Sequence, residues 1–359
     1  MPVSRWALCF LLSLGASAQI PTIEEYNPPS SLVVPQHPLT RSRFPFIDVH
    51  NHQRFASKES LDKLIAEMDK LNMRVMVNLS GGFGDRLKSQ AETCRAHHPG
   101  RFAVFASLDF SNIDDPGYGA RAAAQLEADV RSGAAGLKLF KSFGMDLKDT
   151  RGQRIHVDDP RFDAAFAACA RLRIPVLIHT ADPKQFWEPW DKSNERWLEL
   201  KEVPSRRRDP ATNASWDQLI AEQHNLFRRH QQTIFINAHL GWLGGDLARL
   251  GRLMDECPNM YTEIGAVLAE LGRQPRFARA WFLKYQDRVL FGKDSWNPVE
   301  YHTYFRVLET ADEYFPYYRR RHAFWSMYGL DLPEDVLKKL YYQNALRLLP
   351  GLDASAFPR

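Results

Sequence analysis

Between residues 45 and 294, short apolar runs alternate with stretches whose apolar residues recur at helical spacing. The runs at 45–50, 74–79, 102–108, 135–140, 174–179, 233–239, 260–264 and 288–294 read as strands. The stretches at 58–71, 85–98, 119–131, 159–172, 215–230, 245–256 and 276–285 read as helices, with a further one over 334–348 after Pro333. Ser57 can cap the first, where Leu61, Leu64, Ile65 and Met68 share a face. Strict strand–helix alternation with short connections predicts an α/β fold, a parallel sheet under helical cover. Closure into a (β/α)8 TIM barrel is the simplest outcome, with the active site at the C-terminal strand ends. An open doubly wound sheet is the alternative, but the Gly-rich fingerprint that would follow its first strand is missing here.

The ends of the runs carry the chemistry. The first closes in Asp48-Val49-His50-Asn51-His52, and strand alternation would put both histidines on one face with Asp48 behind them. Two converging imidazoles are half of a metal site. Three later runs end in His179, His239 and Asp294, each a potential ligand. Polar residues seldom close buried apolar runs without cause, so the set argues for a site rather than coincidence.

Composition narrows the class. With 359 residues, 44% hydrophobic and 25% charged, the chain reads as globular. A net charge of +4 is too small to imply nucleic-acid binding, and the triplets Arg206-Arg207-Arg208 and Arg319-Arg320-Arg321 read as solvated surface. Arg5, the apolar run 6–14 and Ala16-Ser17-Ala18 form a secretory signal over residues 1–18. Export to a periplasm follows as an expectation, without membrane insertion after cleavage. Cys94, Cys169 and Cys257 then remain, and an odd number favours buried free thiols. Residues 19–44, polar and Pro-rich, read as an N-terminal arm, and 45–350 as the barrel with extra C-terminal helices.

The long loop 180–212 after the fifth strand holds Phe186, Trp187, Trp190 and Trp197. Aromatic density of this kind has to bury somewhere, so the loop is expected to form a lid or pocket wall.

Taken together, His50-x-His52 after Asp48, Ile178-His179-Thr180, Ala238-His239-Leu240-Gly241 and Asp294 resemble the amidohydrolase superfamily. The similarity is to its amidohydrolase-related branch, which includes aminocarboxymuconate-semialdehyde decarboxylase-like enzymes. It spans residues 45–350 and implies one divalent metal ion, zinc by expectation, at the barrel mouth. His50, His52, His179 and Asp294 resemble the ligands, with Asp294 also taking a proton from water and His239 orienting or polarising. The fourth-strand Lys138 corresponds to a carboxylated bridging lysine in two-metal members. The favoured reading here is a cation for a substrate carboxylate or carbonyl, with Lys141 nearby. Arg54, Trp187, Trp296 and Glu263 are expected to contact substrate, whereas His322 and the remaining histidines read as surface or capping residues.

Three functions stay open. The first is a hydrolase using a metal-activated water on a small amide, ester or lactone. The second is a decarboxylase or hydratase on the same ligands. The third is a binding protein, which a full ligand set with a proton acceptor disfavours. The expected partner is a small molecule, and homodimerisation is left open.

Overall fold

The computed structural model describes residues 20–54, 57–319 and 322–358, so the expected signal lies outside the described residues. Residues 20–33 are a short unit by themselves, with one turn in which the Glu25 and Tyr26 amides donate to the Thr22 carbonyl. From Val34 onward the chain is one unit. The second half of the expected arm is anchored there. His37 bonds Asp312 through its backbone amide and its Nδ1, both at 2.6 Å.

Eight strands follow: β1 (Phe46–Asn51), β2 (Met73–Asn78), β3 (Phe102–Ala106), β4 (Ala134–Leu139), β5 (Val176–Ile178), β6 (Phe235–Asn237), β7 (Met260–Glu263) and β8 (Val289–Leu290). They pair parallel and in sequence order. The Val49 amide donates to the Phe291 carbonyl at 3.0 Å and the Asp294 amide to the His50 carbonyl at 2.7 Å, which joins β8 to β1. The fold is the (β/α)8 barrel that the alternation predicts. Its strands are buried almost throughout, as parallel strands covered by helices require.

Local chemistry sets the element ends. Helix Lys58–Leu71 begins with a reciprocal cap between Ser57 and Ser60 and ends at Asn72, whose φ of 73° is left-handed. Helix Trp216–Arg229 starts where the Ser215 side chain accepts from the Gln218 amide. Cys94, Cys169 and Cys257 are buried and free, as expected.

Three features depart from the sequence pattern. β5, β6 and β8 are shorter than their apolar runs, although the His179 amide still donates to the Leu139 carbonyl and the Asp294 amide to the His50 carbonyl. The expected helix 334–348 is interrupted by a π-turn at Lys339–Gln343. The widened turn leaves the Leu340 carbonyl to accept the Phe291 amide at 3.0 Å, while Asn344 Nδ2 donates to Val289 O at 2.7 Å. Helices Trp197–Glu202 and Leu268–Gly272 and the hairpin β9 (Phe315–Pro316)–β10 (Ser326–Met327) were not apparent from periodicity.

Asp48 is also a correction. A register irregularity between Asp48 and Asn51 breaks the alternation of β1. The Asp48 carboxylate therefore faces helix Pro298–Glu309 rather than standing behind the histidines. It accepts from Tyr301 Oη (2.6 Å), Asn51 Nδ2 (3.0 Å), and the His50 (3.0 Å) and Lys293 (3.2 Å) amides. Burial raises its pKa from 3.8 to about 6, against the pull of these donors.

A raised carboxyl pKa contributes stability below 3.8 that is lost as pH climbs through about 6. Tyr301→Phe removes the shortest of these donors, at a cost of about 1–3 kcal/mol for the ionised form. Its melting temperature should fall further below wild type at about pH 8 than at about pH 5, where Asp48 is mostly protonated. An equal deficit at both pH values would contradict this account.

Candidate metal centre at the barrel mouth

Each candidate ligand stands where a strand stops being a strand. Past β6, His239, Leu240, Gly241 and Trp242 have φ of 58°, 53°, 59° and 55°, a complete left-handed turn. Residues other than glycine pay roughly 1–2 kcal/mol each for that conformation, so surrounding contacts have to hold the turn. Only glycine fits at 241, where a Cβ would lie 2.3 Å from Asn237 Nδ2. Ala181 beyond β5 (φ 62°) and Asp294 beyond β8 (φ 82°) are left-handed as well.

The turns bring the side chains together. The His50 and His239 ring centroids are 4.8 Å apart, those of His179 and His239 4.4 Å, and those of His50 and His52 5.3 Å. Asp294 Oδ1 lies 3.4 Å from His50 Nε2 and 3.5 Å from His52 Nε2. The outward nitrogens are occupied: His50 Nδ1 by Glu263 Oε1 (3.0 Å), His52 Nδ1 by Ser80 Oγ (3.0 Å) and His239 Nδ1 by the Gly265 carbonyl (2.7 Å). A carbonyl only accepts, so His239 carries its proton on Nδ1 and presents a bare Nε2. The Nε2 atoms of His50, His179 and His239 are buried with no partner among the described residues.

Orphaned, inward-facing imidazole nitrogens beside a carboxylate fit a divalent metal. The ligand atoms of His50, His52 and Asp294 lie within 4.8 Å of one another. Sequence reasoning pointed to His50, His52, His179, His239 and Asp294, and the fold brings all five together.

Electrostatics favour the ligand forms. Burial first, then Lys138, lowers the pKa of His52 to about 4 and holds that of His50 well below its usual value. Burial and the charges of His239 and Lys138 do the same for His179. Burial pushes the Asp294 carboxyl up, but His50, His239, His52 and Lys138 together hold it below the usual carboxylate range. The lowered values leave His50 and His52 neutral near pH 7, and Lys138 is the ammonium of the group.

Lys138 is 1% exposed, and its ammonium has no hydrogen-bond partner among the described residues. Burial depresses its pKa to about 8, while Asp294 and Glu263 pull the other way. It pairs with Leu177 across β4–β5, one inward layer beneath His179, and lies 5.3 Å from the Phe140 ring centre.

A cavity of about 130 Å³ opens beside His179, His239 and Asp294. Trp242 and Phe186 form its apolar wall, and Lys141, Arg196, Arg206, Arg319 and His322 its basic wall. Trp242 lies 4.6 Å from the His239 ring and donates from Nε1 to the Ala181 carbonyl at 3.1 Å.

Several expectations change here. Glu263 was expected to contact substrate, but it is fully buried and accepts from inside the protein. Trp187 is tied to the Ala214 carbonyl, Trp296 packs on Tyr301, and Arg54 is exposed; none of them lines the cavity. Lys141 does line it, held by Asp182 at 2.9 Å. Arg206, Arg208 and Arg319 were read as solvated but turn inward. Glu199 pairs with Arg206, Asp182 with Arg208, and Ser295 Oγ accepts from Arg319. His322 is likewise buried on the cavity wall. Asp182 and Ser295 lie more than twenty residues from the arginines they accept from, and Glu199 lies one loop segment before Arg206, so no helical or strand spacing announces the turn inward.

The loop after β5 is a wall of this cavity. Arg196 is buried and paired with Glu199 and Glu270, and its guanidinium and that of Arg273 lie 5.6 Å and 4.1 Å from the Trp325 ring centre. Outside, Arg207, Trp190, Trp197 and Lys201 form a continuous cation–aromatic stack.

A parallel barrel gathering histidines and a strand-eight aspartate at its mouth defines a metal-dependent enzyme. The chain belongs to the amidohydrolase family, whose sequence model, described as Amidohydrolase, matches residues 47–351. No curated protein matches it at significant similarity. Among solved structures it is similar to 2,6-dihydroxybenzoate decarboxylase complexed with 2,6-dihydroxybenzoate. The identity is 16%, the TM-score 0.52, and the match covers 85% of this chain and 99% of that one. It is also similar to a dihydroxybenzoic acid decarboxylase from Polaromonas sp. JS666 with bound manganese and the inhibitor 2-nitroresorcinol. There the identity is 14% and the TM-score 0.52, with 87% and 99% covered. At these identities the likeness concerns the fold.

Two outcomes test the centre. The double variant His50→Ala/His179→Ala should lose its divalent metal by elemental analysis, and wild-type content would end the assignment. In wild type, protons should begin to displace the metal only as pH approaches 4, the lowered His52 value. Metal content after dialysis should thus stay constant from about pH 8 to about pH 5, and loss starting near the ordinary histidine pKa of about 6.5 would refute the burial argument.

Proposed function

We propose that the protein is a metal-dependent hydrolase of a small, anionic carbonyl compound such as an ester, lactone or amide. The observation that carries this reading is the placement of Asp294: its Oδ1 lies 3.4 Å from His50 Nε2 and 3.5 Å from His52 Nε2 at the cavity edge. A carboxylate held beside the candidate ligands can take a proton from water and give it back. One divalent ion is expected, zinc from the nitrogen-rich donor set, held by His50, His52, His179 and Asp294. When bound, it would supply Lewis-acid polarisation and ease deprotonation of water.

The residues divide the remaining work. Asp294 accepts the proton of the attacking water and returns it to the leaving group. His239, its Nδ1–H given to Gly265, offers Nε2 as an acceptor and orients the water rather than donating to a carbonyl. Trp242 and Phe186 limit the substrate to small size, and the buried Lys138 ammonium, without a hydrogen-bond partner among the described residues, favours negative charge. Export is proposed alongside, supported by Arg5, the run 6–14 and Ala16-Ser17-Ala18.

Decarboxylation is the second reading. An unpartnered buried ammonium suits a substrate carboxylate, and two proteins of similar fold are named as dihydroxybenzoate decarboxylases. Metal-loaded protein should be offered small lactones and esters beside aromatic carboxylic acids, with acid release and CO2 followed separately. Acid release without CO2 is expected, and CO2 release alone would transfer the assignment to the lyase. Asp294→Asn should cut turnover by about 10²–10⁴-fold while retaining some metal. His239→Asn should lower the rate at unchanged metal content, and metal loss there would make His239 a ligand.

A further inference from the structure

We propose that Glu263 is the positioning residue of this centre: one buried carboxylate selects the tautomer of His50 and anchors the left-handed turn that carries His239. The inference rests on reading His50 as a metal ligand, and it assigns Glu263 a task other than touching substrate.

Glu263 closes β7, between the strand that carries His239 and the one that leads to Asp294. Its Oε1 accepts from His50 Nδ1 at 3.0 Å and from the His239 amide at 2.7 Å. Its Oε2 accepts from the Gly265 amide. His239 Nδ1 in turn donates to the Gly265 carbonyl at 2.7 Å. The two glutamate oxygens, the Gly265 peptide and His239 thus form a closed hydrogen-bonded loop around the start of the left-handed turn.

The chemistry of this loop determines what faces the cavity. A carboxylate is an acceptor, so His50 puts its proton on Nδ1 and leaves Nε2 bare toward Asp294. His239 is fixed twice, through its amide to Glu263 and through its ring to Gly265. Two neighbouring imidazoles therefore present lone pairs, not N–H groups, to the same point.

Two glycines make the space. A Cβ at Gly292 would lie 2.4 Å from Glu263 Oε2 and 3.0 Å from the His50 Cβ. A Cβ at Gly265 would lie 2.7 Å from the same oxygen. The slot is shaped for a glutamate at 263. A glutamine there would aim its NH2 at an N–H donor whichever way it flipped, and so give up either the Gly265 contact or both histidine contacts.

Two measurements test this, with Co²⁺ alone as the probe. In folded Glu263→Gln, with circular dichroism as the control, Co²⁺ affinity should drop by about 10–100-fold and the visible d–d spectrum should change shape. Wild-type affinity with an unchanged spectrum would overturn the proposal. If the variant does not fold, ¹⁵N-resolved histidine spectra of metal-free wild type decide, with His50 assigned by loss of its signal in His50→Gln. Nδ1–H tautomers at His50 and His239 are expected, and an Nε2–H tautomer at His50 overturns the role of Glu263. Failure of wild type to bind Co²⁺ would instead count against the metal centre itself, and the tautomer measurement would still judge Glu263.

Discussion

The bond on which the structure turns is the one from the Asp294 amide to the His50 carbonyl. At 2.7 Å it is among the last contacts of the seam between β8 and β1, and both of its residues are candidate metal ligands. A barrel has to satisfy its first and last strands against each other, and strand tilt and stagger leave few ways to do so. Closing the ring and assembling half of the metal site are consequently one event. Buried Asp48 reinforces the seam by accepting from the amides of both His50 and Lys293, which pins the two strand ends from behind.

Periodicity carried the architecture. Apolar runs and amphipathic stretches alternate so regularly that the barrel, the strand ends and all five clustered residues could be read directly. What stayed hidden depends on contacts between distant residues. Glu263 looked like any acid at a strand end, and only its neighbours on β1 and β6 show that it faces inward. Arg206, Arg208 and Arg319 looked solvated because Glu199, Asp182 and Glu300 meet them only in the fold. A bulge in β1 and the left-handed turn after β6 redirect side chains against the alternation rule, and neither leaves a periodic trace. Gly241 was part of the motif, but its purpose is a steric one that needs Asn237 beside it.

The loop after β5 shows how aromatic density can be spent on rigidity. Arg196 is taken fully out of water and paired with two glutamates from different segments. Such buried pairs add little net stability, but breaking one leaves an uncompensated charge, so they fix one arrangement strongly. Through the contacts of Trp325 with the guanidiniums of Arg196 and Arg273, the loop packs on the β9–β10 hairpin. That favours a preformed wall over a lid that opens with each turnover. The basic residues on its inner side are already neutralised by acids, so they define the cavity's shape and polarity more than they supply free charge.

Free charge resides deeper, and it discriminates between the two chemistries. Among the described residues the Lys138 ammonium has no hydrogen-bond partner, and the carboxylates that act on it are Asp294 and Glu263. A divalent ion added to this group would leave about one positive charge uncompensated in a low-dielectric pocket, where such an excess costs several kcal/mol. A bound anion, or an oxyanion forming during reaction, removes the excess. In hydrolysis the negative charge grows on a carbonyl oxygen, a point that a fixed cation can stabilise without moving. In decarboxylation the charge starts on the departing carboxylate and leaves it, so a cation paired there would stabilise the starting state more than the transition state. Under the proposed hydrolysis this ammonium would assist the transition state, whereas under the proposed decarboxylation it would assist only if the acid bound with its carboxylate away from Lys138.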